Sequence, residues 1–473
     1  MGKRKVDVAI IGAGTAGLYA FRQVKKHTDS VVLINGGPYG TTCARTGCMP
    51  SKAFIQAAHD FHKRVSFENT GIIGAEHLSV DSARVLAYVR NLRDGFVAGV
   101  LKNVEKVGEH NIAGYARFTG PDELEVNGSF IKADKIIIAT GSYPFFPSEW
   151  KTCHGSLLTT DDFFEMDKLP SSMAVLGGGI IGLELGQALC RLGVATVVIE
   201  MGEYIAGLSD PVVNKTAVEI FSDEFRLMCG HKADLVTCDG RLKINTGTDT
   251  IVVDKALVAL GRRPNIQNLS LENIGVELDS RGLPLLDEGT LRIKGTNIYM
   301  AGDANALRPV MHEAADDGRI AGYNASVNAD KCFKRRENLA VTFSDPQISL
   351  AGKRYADLSP DSVAIGQSLT SENGRARIKG YDKGIIRVYA DKKTGLLLGS
   401  EMAGPDSDFI GHVMAWLIQS QATVFDVLQM PFYHPTLMEN LRSAMYDLAS
   451  NIEVKTSDME LSCCECVSGR CFN

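Results

Sequence analysis

Gly12-Ala-Gly14-Thr-Ala-Gly17 follows a short apolar run, Val6 to Ile11, and Gly177-Gly-Gly179-Ile-Ile-Gly182 follows another, Met173 to Leu176. Each copy continues into a helical stretch, Leu18 to Lys26 in the first and on through Leu192 in the second. A further apolar run, Val31 to Ile34 or Ala195 to Ile199, then closes the unit. The residue ending that run, Asn35 or Glu200, stands 23 positions after the first glycine both times. One glycine spacing of this kind is a weak signal, but a repeated β-turn-α-β order with matching distances reads as two dinucleotide-binding units. The glycines form the tight turn, let backbone N–H groups approach a pyrophosphate, and bring helix close to strand at a positively polarised helix N-terminus.

Two such units in one redox chain imply two cofactors, a bound flavin (FAD) and a nicotinamide that comes and goes. A cysteine pair follows the first unit at once, which assigns FAD to Gly12, Gly14, Gly17 and Asn35. The nicotinamide then falls to Gly177, Gly179, Gly182 and Glu200. Glu200 can accept from both hydroxyls of an adenosine ribose, its charge repels a 2′-phosphate, and nothing basic follows in Met201-Gly-Glu203, so NADH is favoured over NADPH. Asn35 is neutral where an acid is usual and can still hydrogen-bond a ribose.

A chain of 473 residues is too long for one ordinary core. A net charge of -6 without a Lys/Arg block offers no field for nucleic acid or anionic lipid. No apolar run approaches the length of a spanning helix, and Val6 to Ile11 is too short for a signal peptide, so a cytoplasmic location is expected. Of 11 cysteines, Cys153, Cys190, Cys229, Cys238 and Cys332 are scattered and read as small core or surface residues. Two clusters remain.

The first lies in Gly40-Thr-Thr-Cys43-Ala-Arg-Thr-Gly-Cys48-Met-Pro-Ser-Lys52. Pro50 suits the first turn of a helix beginning near Cys48, which leaves that sulfur over unpaired N–H groups and lowers its pKa. Lys52 falls one turn further along the same face. A pair so spaced can open and close as two electrons arrive and leave.

These motifs, with Ile136-Ile-Ile-Ala-Thr140-Gly141, Ala259-Leu-Gly261-Arg-Arg-Pro-Asn265 and Ile298-Tyr-Met-Ala-Gly302-Asp303, resemble the class I pyridine nucleotide-disulfide oxidoreductases up to about residue 450. The likeness is nearest to dihydrolipoamide dehydrogenase. It implies an α/β fold of two Rossmann-like domains and a C-terminal α+β dimerisation domain. The expected divisions are 1–147 with 271–337 for FAD, 148–270 for NAD(P), 338–455 for dimerisation and 456–473 as a flexible tail. By resemblance Cys43 attacks substrate, Cys48 lies beside the flavin, Lys52 pairs with Glu184, and Asp303 holds the flavin ribityl chain. Thr140, Gly141 and Ala314 join the FAD set and Gly261 the NAD set. Met311 to Ala314 opens a helix aimed at the flavin, and His312 is more often structural. In Tyr433-His434-Pro435-Thr-Leu-Met-Glu439, His434 precedes a proline that can start a helix, and Glu439 can take its other ring proton. The family supplies this base from the second subunit, which implies a homodimer acting on a small dithiol or disulfide, or on a lipoyl domain.

The tail, Leu461-Ser-Cys463-Cys464-Glu-Cys466-Val-Ser-Gly-Arg-Cys471, resembles instead the C-terminus of mercuric reductases. It reads either as an exposed end or as an arm that binds a soft cation. Three activities stay open: an NADH-linked dithiol oxidoreductase, a soft-metal reductase, and a flavin-bound redox sensor. Direction depends on reduction potentials.

Overall fold

The computed structural model describes residues 3–454 other than 239, 328 and 382. Cys463, Cys464, Cys466 and Cys471 lie outside the described residues. Lys3–Ile11 (β1), Thr15–Val24 (α1) and Val31–Asn35 (β2) form the first unit. The helix begins at Thr15 rather than Leu18, because the backbone already turns helical after Gly14. Cys48–His62 (α2) and Ser82–Glu105 (α3) follow, and Ser129–Ile138 (β3) lies beside β1. β1 pairs in parallel with β2 and β3, and the strand Ile298–Met300 adds to the far side of β3. Val8 and Ile10 face the layer holding α1 while Ala9 and Ile11 face the opposite core, so both sides of the sheet are covered.

The second unit repeats this plan with Ser172–Leu176 (β4), Ile180–Arg191 (α4) and Ala195–Ile199 (β5). β4 lies between β5 and Lys255–Val258 (β6), all parallel. Helix α2 packs between the units. Its Phe54, Ile55 and Ala58 share one core with Leu183, Leu185, Ala188 and Leu189 of α4, and Phe54 meets Phe163 edge-on at 5.3 Å. Truncating so enclosed a ring to Ala costs about 3–5 kcal/mol.

Met311–Ser326 (α5) lies against α1, where a Cβ on Gly318 would stand 2.2 Å from the Ala16 carbonyl oxygen. The contact requires glycine. Leu339–Thr342 (β7), Gln347–Gly352 (β8), Val363–Leu369 (β9), Ile385–Asp391 (β10) and Leu397–Gly404 (β11) then build an antiparallel sheet in the order β7-β8-β11-β10-β9. Ser407–Gln419 (α6) and Met438–Ser450 (α7) cover it, with Val388, Met402, Met414, Leu441 and Met445 buried between. The expected fold class is met: two Rossmann-like units and a C-terminal α+β layer. Among the described residues, no helix is long and apolar enough to cross a membrane.

Candidate active site

The two glycine turns have the same geometry. Gly12 and Gly177 each take φ +108°, and a Cβ there would stand 2.3 Å from the Ala139 carbonyl oxygen or 2.5 Å from that of Ala259. Such closeness lets each turn cross the end of its neighbouring strand. Nothing lies within 4 Å of a Cβ built on Gly14 or Gly179, and neither helix start carries a side-chain cap. Open backbone N–H groups at a helix N-terminus fit a pyrophosphate. Asn35 Oδ1 accepts the Ala13 N–H at 3.1 Å, and Glu200 Oε2 accepts the Gly178 N–H at 2.6 Å. These two residues thus hold the same place in their turns. Glu200 Oε1 also accepts the Gly202 N–H at 2.8 Å, which fixes the carboxylate at the strand end.

Beyond β3, Thr140 Oγ1 is buried with no hydrogen-bond partner and Gly141 takes φ +71°. A buried hydroxyl without a partner is costly unless something polar meets it, and a flavin's heteroatoms would. Asp303 follows the strand Ile298–Met300 and accepts the Ser142 hydroxyl at 2.7 Å. Arg262 donates to Ser142 Oγ at 2.8 Å. The residues after Thr140-Gly141 and Gly261 therefore meet directly, and Ser142 links Arg262 to Asp303. Sequence reading overlooked Ser142 and Arg262, although Arg262 sits inside a quoted motif. Ala314 is buried in the uncapped first turn of α5 and His312 is exposed. Glu313 in the same turn is buried and bonds Arg308 and Arg335. Gly261 takes φ +93° just past β6.

Cys43 lies in a helical turn, Thr42–Arg45, and Cys48 is the first residue of α2. At Gly47 a Cβ would stand 3.1 Å from the Thr42 carbonyl oxygen and 3.3 Å from the Cys43 Cα, so the chain folds back tightly on the turn that holds Cys43. Cys43 is half-buried, Cys48 exposed, and both thiols are free. Their ionisation is split. The Cys43 thiol hydrogen-bonds Cys48 and, with help from Lys52, brings Cys48 down to about 7 against partial desolvation and the Glu184 charge. Giving that bond and losing solvent push Cys43 upward.

Lys52 Nζ donates to both Glu184 oxygens, at 3.0 and 2.8 Å, and Glu184 is 3% exposed. Glu184 is thus no surface carboxylate. The pair joins α2 to α4. Phe343, which sequence reading passed over, adds a third element. Its N–H donates to Glu184 Oε1 at 2.8 Å, and its ring lies 4.7 Å from Lys52 Nζ.

His434 and Glu439 meet at 2.9 Å through Nδ1, and Glu439's second oxygen accepts the Thr436 N–H at 3.0 Å. The hydrogen bond from His434, then that from Thr436, holds the Glu439 carboxyl below its usual range. The His434 side chain is 81% exposed on the single chain. One expectation is corrected: Pro435 does not start the helix. Thr436 Oγ1 donates to the Tyr433 carbonyl at 2.7 Å, closing a turn first, and α7 begins at Met438. Next to His434 in the chain, Met430, Phe432, Tyr433, Met438 and Leu441 line an apolar groove of about 470 Å³.

The family model for pyridine nucleotide-disulphide oxidoreductases matches residues 6–325, and that family's dimerisation domain matches residues 339–445. A dihydrolipoyl dehydrogenase of Halobacterium salinarum is 30% identical over 92% of this chain and 94% of its own. A mercuric reductase of Acidithiobacillus ferrooxidans is 27% identical over 98% of this chain and 85% of its own. Among solved structures, the Cu(II) complex of the HOCl-induced flavoprotein disulfide reductase RclA from Escherichia coli superposes with a TM-score of 0.81 at 21% identity, over 94% of this chain and 99% of that one. The chain belongs to the pyridine nucleotide-disulphide oxidoreductase family, which binds FAD and depends on NAD(P). The matched dimerisation domain supports a homodimer.

Proposed function

We propose that this family member passes electrons between NADH and a small dithiol or disulfide of the dihydrolipoamide kind, free or carried on a lipoyl domain, through Cys43 and Cys48. The tight turn at Gly47, which folds Cys43 against the start of α2 at Cys48 with Lys52 held on Glu184 one turn further along, is the observation that carries the reading. The Cys43 thiol and Lys52 draw the Cys48 thiol downward, and Cys43, pushed upward, needs a base to react. Gly12, Gly14, Gly17, Asn35, Thr140, Gly141, Asp303 and Ala314 would hold FAD, which when bound relays two electrons between nicotinamide and disulfide. Gly177, Gly179, Gly182, Glu200 and Gly261 would hold the nicotinamide, with the Glu200 charge selecting against a 2′-phosphate.

His434 is the base. In the oxidative direction it takes a proton from the incoming dithiol, whose sulfur attacks Cys43 of the disulfide and releases Cys48 as thiolate. The second substrate sulfur then displaces Cys43, leaving substrate disulfide and two reduced cysteines. Glu439 fixes the ring through Nδ1, so Nε2 faces the reaction. The exposed His434, beside an apolar groove on the dimerisation layer, is read as serving the other subunit's cysteines.

A second reading, reduction of a soft metal ion, draws on one observation: the mercuric reductase match spans 98% of this chain against 92% for the dihydrolipoyl dehydrogenase. Four cysteines at the end would bind such an ion. The purified protein is assayed with dihydrolipoamide plus NAD and, side by side, with Hg(II) plus NADH or NADPH. Dihydrolipoamide oxidation that survives truncation at residue 460 supports the first reading. Hg(II)-dependent NAD(P)H oxidation lost on that truncation supports the second.

A further inference from the structure

Residues 343–345 run from the C-terminal sheet along one face of α4 and are held at three successive turns. Glu184 accepts the Phe343 N–H at 2.8 Å. Gln187 accepts the Asp345 N–H at 2.8 Å and donates to its carbonyl at 2.6 Å. Arg191 donates to the Asp345 carboxylate at 2.8 Å and to its carbonyl at 3.0 Å. Glu224 anchors the guanidinium at 2.9 Å, and the Tyr381 hydroxyl meets the other Asp345 oxygen at 2.7 Å. Positions 184, 187 and 191 form one stripe of a helix, so the strap lies straight along it.

Its forward end carries Phe343 to Lys52. The ammonium thus meets a carboxylate from α4 and an aromatic face from the strap. A cation within about 6 Å of a ring centroid is attracted to it. Lys52 itself stands one helical turn along α2 from Cys48, within reach of its charge.

We infer that Phe343 is a positioning residue of the reactive turn: the strap 343–345 fixes the Lys52 ammonium one turn along α2 from Cys48, so that docking of the C-terminal sheet on α4 sets how readily Cys48 ionises. The inference rests on the reading above, in which Cys48 is the ionised thiol. The groups acting on Cys48 are Cys43, Lys52 and Glu184. Phe343 carries no charge, so its influence passes through where it holds Lys52. Without the ring, the long flexible lysine stem lets the ammonium move into water.

The test is the pH midpoint of Cys48 alkylation in the reduced full-length protein, resolved at that peptide by mass spectrometry. Wild type should titrate near 7. Phe343→Leu, which keeps the backbone N–H on Glu184, should raise the midpoint by about half a unit, roughly threefold less thiolate on the acid side. Gln187→Met should move it the same way by loosening the strap. Lys52→Met should move it at least as far, and Phe343→Tyr should restore the wild-type value. A Phe343→Leu midpoint equal to wild type while Lys52→Met shifts overturns the inference, and so does a fall in Tm without a shift. A wild-type midpoint near an ordinary thiol's ~8.5 sinks instead the reading of Cys48 on which the inference rests.

Discussion

Replacing Cys43 by Ala removes the largest influence that keeps Cys48 ionised, the hydrogen bond from its neighbour's thiol. With a midpoint of about 7, about half of Cys48 is thiolate at pH 7. Lys52 remains in the variant, so Cys48 should not climb the whole way to an unperturbed thiol. A rise of about one unit leaves roughly one tenth ionised at pH 7. Cys43→Ser keeps a hydroxyl donor at the same place and should titrate close to 7. Both variants carry a single sulfur at the turn, so no disulfide complicates the comparison. Absorbance of the thiolate near 240 nm or peptide-resolved alkylation across pH 5–10 gives the midpoint. The midpoint must be read rather than the rate at one pH, because a less acidic thiol forms the better nucleophile. Coincident curves for Cys43→Ala and Cys43→Ser would refute the reasoning and hand the stabilisation to Lys52 and the helix terminus.

His434→Gln should lower steady-state oxidation of dihydrolipoamide by about 10²–10⁴-fold, while NADH oxidation by an acceptor that needs no proton transfer stays near wild type. Glu200→Gln should narrow the kcat/KM preference for NADH over NADPH by about tenfold, measured with both nucleotides under one set of conditions. Arg191→Met leaves Asp345 and Glu224 without their shared cation and should cost about 3–5 kcal/mol in urea unfolding at pH 7. Burial raises the Asp345 carboxyl, but Arg191 and Tyr381 outweigh it and hold it below its usual range. A carboxyl depressed in the folded state stabilises above its unfolded pKa of about 3.9 and loses that contribution as pH falls through the folded value. The gap between wild type and Arg191→Met should therefore shrink on moving from pH 7 towards pH 3.

Local pattern carried much of this molecule. The duplicated glycine turns marked both dinucleotide units, since each is a contiguous strand-turn-helix whose residue types follow from backbone geometry. The Cys43 to Lys52 string likewise sets its own turn and helix start. What escaped reading joins segments remote in sequence. Phe343 and Asp345 dock on α4, Ser142 links Arg262 to Asp303, and Gly318 admits the Ala16 carbonyl, and no periodicity marks such pairs. Pro435 misled for another reason: a proline marks where a helix can begin, but the Thr436 turn and the Glu439 carboxylate decided where this one does. The lowered pKa of Cys48 was expected from the helix start, and the Cys43 thiol beside it draws it the same way, a partner whose orientation only the folded turn reveals.

The strand Ile298–Met300 completes the first sheet beside β3, and α5 follows it onto α1. During synthesis the amino-terminal sheet must therefore wait, one edge bare, while the whole second unit emerges and folds. A stalled or prematurely ended product that stops before Ile298 would display that edge and the open flank of α1 to its surroundings, which makes such fragments natural clients for chaperones and proteases.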